Sequence, residues 1–115
     1  MKKLFDKISN KLISDKVEVA SSTYQRTVGL LKYQNIESQQ GMQILFCNSI
    51  HTFFMKFPID CIFVNKHLEV VKIYENVKPY RIILPIFKAS SVFEFSSGFV
   101  AKSNIKIGDQ FYVGD

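Results

Sequence analysis

From Ser49 to Val64 the chain alternates between two kinds of position. One set is His51, Phe53, Met55, Phe57, Ile59, Cys61 and Phe63, almost wholly apolar. The other is Thr52, Phe54, Lys56, Pro58, Asp60, Ile62 and Val64, which mixes apolar with polar groups. A period of two with one apolar side predicts strands laid over a core. Pro58 has no N–H to give to a ladder, so the stretch reads as two strands with a bend between them.

Similar patterns flank this stretch. Val17–Ser22 alternates as a first strand, and Thr23 is placed to cap a helix over 24–33. Gly29 is costly inside that helix and signals a close approach by neighbouring backbone. Residues 41–47 form a strand. Residues 68–74 form a hairpin partner to the central stretch, through a turn at Asn65-Lys66-His67. Residues 78–85 are extended and confined by Pro79 and Pro85 to an edge or crossing loop. Residues 89–95 and 110–113 are further strands, and 99–104 supply about one helical turn. At the N-terminus, Leu4, Phe5, Ile8, Leu12 and Ile13 fall on one helical stripe ringed by lysines, which predicts an amphipathic helix over 1–16. The expected fold is mostly β, a small barrel or sandwich of about seven short strands with one or two short helices. The expected division is an amphipathic leader, 1–16, followed by one domain, 17–115.

Composition agrees with a packed β core without staples. Of the 115 residues, 47% are apolar and eleven are Phe. Cys47 and Cys61 both sit in apolar runs and read as reduced core thiols. The net charge is +5. The first 16 residues carry five lysines against two aspartates. The remainder is nearly balanced, which disfavours nucleic acid as a partner. No apolar run approaches the length of a membrane span, and Asp6, Lys7 and Lys11 break any signal-peptide core. The expectation is a cytoplasmic protein, with weak contact to an anionic membrane surface through residues 1–16 as the membrane-peripheral alternative.

Six residues are candidates for a site. Lys56 and Asp60 share a face about 13 Å apart along a straight strand, so only the bend would bring them together as a polar pocket floor. Glu94 lies between Phe93 and Phe95 and points to the opposite face, where it could meet Arg26 or Lys56. His51 and Thr52 stand at the start of the central stretch, but no nucleophile elbow surrounds them. Cys47, His51, Cys61 and His67 lack the spacing of a zinc site, and no phosphate or dinucleotide loop is present, so no metal or cofactor is expected.

The order of these motifs resembles domain-of-unknown-function family 192, small and mostly β proteins of bacteria and archaea. The resemblance rests on Arg26-x-x-Gly29-Leu30, Gly41, the block His51 to Phe63, Pro79, Ala89-x-x-Val92-Phe93-Glu94, Gly98 and Gly108-Asp109. It covers roughly Val17 to Val113. The chain departs from the pattern at the turn 65–68, which lacks glycine, and at Phe54, where many relatives carry Trp or a small residue. The resemblance implies no established reaction. The residues favour a non-catalytic binding or interaction module whose pocket is built from Arg26, His51, Thr52, Lys56, Asp60 and Glu94. Its partner would be a small anionic ligand, a glycan or a protein. A small hydrolase or lyase using Asp60 or Glu94 as base is the alternative, and a membrane-peripheral accessory protein anchored by residues 1–16 is a third reading.

Overall fold

A computed structural model describes residues 1–115 apart from the side chains of Thr23, Tyr24 and Thr27. The strands are β1 (Lys2–Asp6), β2 (Leu12–Ala20), β3 (Gln40–Leu45), β4 (Ile50–His51), β5 (Ile59–Val64), β6 (Val70–Val77), β7 (Ile82–Ile83), β8 (Ser91–Ser96) and β9 (Phe111–Gly114). Two short helices, α1 (Thr23–Val28) and α2 (Phe99–Ser103), and a 3-10 turn at Gly29–Lys32 complete the chain. Seven strands form one mixed sheet in the order β6-β5-β8-β3-β2-β1-β9, and β4 and β7 form a separate ribbon. Only β2 and β3 run parallel within the large sheet. Parallel neighbours need a crossover, and α1 with its 3-10 extension supplies it.

The expected barrel does not close. Its outer strands β6 and β9 are not paired as strands: Glu69 and Gln110, just before them, form an isolated bridge, and the Val70 N–H donates to the Asp109 carbonyl at 2.8 Å, the Gly108 N–H to Val70 at 2.9 Å and the Phe111 N–H to Leu68 at 2.9 Å. The expected N-terminal helix is also absent. Residues 2–6 are a strand that pairs with both β2 and β9, so the leader is part of the sheet and no break falls at residue 16. Leu4 is buried and Phe5 stacks on Tyr112, whereas Ile8 is 87% exposed in the turn. An isolated helix this short is marginal in water, and two-sided strand pairing outcompetes its weak stripe. The Asp6 carboxylate accepts the Ser9 N–H at 2.9 Å and fixes the turn.

The sheet is covered on both faces. One core gathers Leu4, Val17, Ile62, Val64, Phe93, Phe95, Phe111 and the first turn of α2. The other gathers Met42, Ile44, Ile59, Cys61, Phe63, Val92 and the crossover residue Leu30. Every residue of β5 is therefore buried, and both of its alternating sets count as interior. The predicted zigzag holds only for Ile59–Val64. Residues 52–58 are a run of turns, with Phe54 at φ +66°.

The helix caps also correct the sequence reading. Ser22, not Thr23, is the N-cap, accepting the Gln25 N–H at 3.0 Å, and the Gln25 side chain returns a bond to the Ser22 N–H. The side chain of Thr23 lies outside the described residues. Gly29 ends α1 at φ +50°, and a Cβ there would meet nothing tighter than Ile44 Cδ1 at 3.7 Å. Its conformation, not a close neighbour, calls for glycine. At the glycine-free turn, the Asn65 side chain accepts the N–H groups of His67 and Glu69 at 2.9 and 3.0 Å, a local substitute for the missing residue.

Candidate functional site

On the face carrying α1, a cleft of about 290 Å³ opens between the crossover, the end of β3 and the segment 47–55. Its polar lining is Arg26, Cys47, Ser49, His51 and Glu94, and Leu30, Ile44, Met55 and Ile59 contribute much of its apolar wall. The alternation of β8 determines how Glu94 gets there. Phe93 and Phe95 fill the opposite core, so Glu94 is turned to the cleft side, opposite Met42 on β3 and Cys61 on β5.

Glu94 is buried, and burial pushes its carboxyl up to about 7. The cause is loss of water around the charged form. Among the described residues, the ion pairs join Lys2 to Asp115, Lys16 to Glu37 and Lys32 to Glu18, and none involves Glu94. The expected Arg26–Glu94 pair is not made, although both line one cleft. Arg26 instead places its guanidinium 5.8 Å from the centre of the Phe46 ring and donates from Nη1 to the Phe46 carbonyl at 3.4 Å. Its buried Nε has no acceptor among the described residues.

His51 reaches the cleft from β4, where its backbone pairs with Ile82, and its ring lies 5.2 Å from that of Phe53. Cys47 is half-buried and donates from Sγ to the Ser49 carbonyl at 3.0 Å. Burial pushes its thiol up, and pushes that of buried Cys61 up well above the usual range. Both thiols are free, and both stay protonated at neutral pH.

The other three predicted residues do different work. Lys56 is exposed and donates from Nζ to the Leu31 carbonyl at 3.2 Å, at the end of the 3-10 turn and on the cleft rim. It does not meet Asp60. Asp60 is wholly buried, and its carboxylate accepts the backbone N–H groups of Asn76, Gly98 and Val100 at 2.9, 3.2 and 2.9 Å. It ties the end of β6 to the start of α2 and lies outside the cleft lining. Thr52 is also buried. Its hydroxyl donates to the Lys78 carbonyl at 2.7 Å and accepts the Arg81 N–H at 2.8 Å.

Of the six candidates, Arg26, His51 and Glu94 line this cleft, and Cys47, Ser49 and the apolar wall were not among the candidates. Nothing in the period of two marks those positions, because the loop 46–49 and the crossover bring them together only in three dimensions. Among the described residues, no group of three or more His, Cys, Asp or Glu side chains is arranged to hold a metal. No helix among the described residues is long and apolar enough to cross a membrane.

A model of the DUF192 family, described as "Uncharacterized ACR", matches residues 5–113. A UPF0127 protein of Thermococcus sibiricus is 29% identical over 111 residues, covering 93% of this chain and 71% of that protein. Two solved structures share the fold. One, from Sinorhizobium meliloti, is provisionally assigned as a transcription regulator. It superposes with a TM-score of 0.81 at 22% identity, covering 97% of this chain and 91% of the other. The second is a protein of unknown function from Novosphingobium aromaticivorans, with a TM-score of 0.78 at 24% identity, covering 96% and 82%.

Proposed function

We propose, from the premise that the chain belongs to the DUF192 family, that it is a non-catalytic binding module for a small molecule carrying an oxygen acceptor on a compact apolar body. The observation that carries this reading is the Arg26 Nε–H, buried with no acceptor among the described residues. A buried donor left unpaired costs about 1–3 kcal/mol, and a ligand carboxylate or carbonyl would relieve it. Glu94 supports the same polarity, because below about pH 7 its neutral carboxyl can donate a hydrogen bond. Leu30, Ile44, Met55 and Ile59 offer the ligand's apolar part a dry wall.

The test is titration of the labelled protein with short-chain monocarboxylates, from propionate to hexanoate, followed by amide chemical shifts. Saturable shifts at Gly29, Cys47, Ser49 and His51, lost in Arg26→Met, are expected. No shift at these positions with any of the acids would end the carboxylate reading.

A second reading keeps Glu94 as an acid–base catalyst, because a carboxyl poised near 7 in a cleft suits proton transfer. Asp60 does not share that role, since both of its oxygens are engaged by backbone N–H groups.

A further inference from the structure

Two segments, 46–54 and 80–90, are laced into one ribbon. The Cys47 N–H donates to the Ser90 carbonyl at 3.0 Å, the Ile86 N–H to Asn48 at 2.9 Å, and the Thr52 N–H to Arg81 at 2.8 Å. Between these, β4 pairs with β7, Ile50 opposite Ile83 and His51 opposite Ile82. Inward, the ribbon buries Thr52 and Ile83. Outward, it presents Phe46, Phe54, Tyr80, Ile82, Leu84 and Phe87, all at least 60% exposed and Phe87 at 95%. Phe54 and Tyr80 touch edge to face, their rings 6.0 Å apart.

Three of these side chains are held out at a cost. Phe46, Phe54 and Tyr80 have φ values of +54°, +66° and +64°, a region that bulky residues seldom enter. Strain of this kind persists where the surroundings enforce it, and it clusters at functional surfaces. The charge is as one-sided as the apolar projection. Lys56, Lys78, Arg81 and Lys88 are exposed on the ribbon and its flanks, and no Asp or Glu occurs in 46–59 or in 76–93.

We infer that this ribbon docks the protein on an anionic lipid surface, with the six apolar side chains entering the interface and the four cations meeting the headgroups. Apolar tips set among lysines match what holds a peripheral protein on a bilayer. A protein interface would deplete lysine from such a patch. The inference does not depend on what fills the cleft. It also places membrane contact away from residues 1–16, whose strands lie within the sheet.

Co-sedimentation with large vesicles tests it. Vesicles of phosphatidylcholine with about 30% phosphatidylglycerol should carry the protein down, and pure phosphatidylcholine should not. Raised salt should weaken binding. The apolar variant Ile82→Ser/Leu84→Ser/Phe87→Ser and the charge variant Lys78→Gln/Arg81→Gln/Lys88→Gln should each lose about tenfold or more in partition. All six positions face water, so both variants should keep the wild-type thermal transition, and either one alone decides the point. Failure of the wild type to sediment with the anionic vesicles would overturn the inference. So would undiminished sedimentation of the apolar variant. A concentration-dependent dimer that the apolar variant abolishes, with no vesicle binding, would assign the ribbon to a second copy of the chain instead.

Discussion

The Asp60 carboxylate accepts the Val100 N–H at 2.9 Å, joining the start of β5 to the first turn of α2. The same oxygen takes the Gly98 N–H, and its twin takes that of Asn76, where β6 bends at φ +53°. An acid that looks catalytic in sequence is thus a three-way structural tie. Asp60→Ala would strand three backbone donors, two of them on the turn that starts α2. Each stranded donor costs on the order of 1 kcal/mol. The expected loss is about 3 kcal/mol in urea unfolding, with ligand-induced shifts at the cleft preserved in the fraction that folds. A loss below about 0.5 kcal/mol would contradict the tie.

Glu94 makes stability depend on pH in the opposite sense from a paired carboxylate. Its carboxyl is raised from 4.5 to about 7 in the folded chain. The folded state therefore holds this proton more tightly than the unfolded state does. The resulting stability is fully present below about pH 4.5 and is lost as pH rises through about 7. The difference amounts to roughly 3 kcal/mol. Glu94→Gln removes the titration, so wild type minus variant should fall by that order between the two limits in denaturant series at stepped pH. A flat difference would mean that Glu94 is solvated or paired.

How much of this was legible in the sequence depended on whether neighbours along the chain or across it decide the outcome. The alternation at 91–96 placed Glu94 opposite Phe93 and Phe95 correctly, because burial on one face of a strand is a local pattern. The apolar stripe of residues 1–16 misled, because β2 and β9 pair with β1 from distant positions and no local signal records them. Only a bend at Pro58 would bring Lys56 and Asp60 together, and the turns at 52–58 instead send Lys56 to the Leu31 carbonyl and Asp60 to backbone N–H groups. The sequence offers Arg26 and Lys56 as the two partners for Glu94; Arg26 lines the same cleft, yet it forms no ion pair with Glu94 there.

Gly41 and Phe95 face each other across the β3–β8 pair, and a Cβ on residue 41 would come within 2.3 Å of the Phe95 Cε1. The ring fills that space and stacks on Phe99, with centroids 3.7 Å apart. Gly41→Ala must push Phe95 off its position, an overpacking cost of about 2–3 kcal/mol. Because the clash is with one side chain, Phe95→Leu should recover part of the loss in the double variant. A double-mutant cycle on unfolding free energies would show a coupling of at least about 0.5 kcal/mol. Simple additivity would place the cost in the backbone.

Thr52 holds the ribbon against the body of the protein. Its hydroxyl bridges the Lys78 carbonyl and the Arg81 N–H, and its own backbone bonds Arg81, Met55 and Tyr80. Thr52→Val keeps the shape but removes the hydroxyl, leaving the part-buried Lys78 carbonyl and Arg81 N–H without that partner. The expected cost is about 1–3 kcal/mol. The loss should be local, because the large sheet makes no use of this hydroxyl. Amide exchange at Arg81 should therefore accelerate far more than exchange at Ile62 or Phe93 in the buried strands. The loosened ribbon should also hold Tyr80 less firmly in its left-handed conformation. If Arg81 and Ile62 accelerate together, the hydroxyl supports the whole fold, and the ribbon is not a separately anchored element.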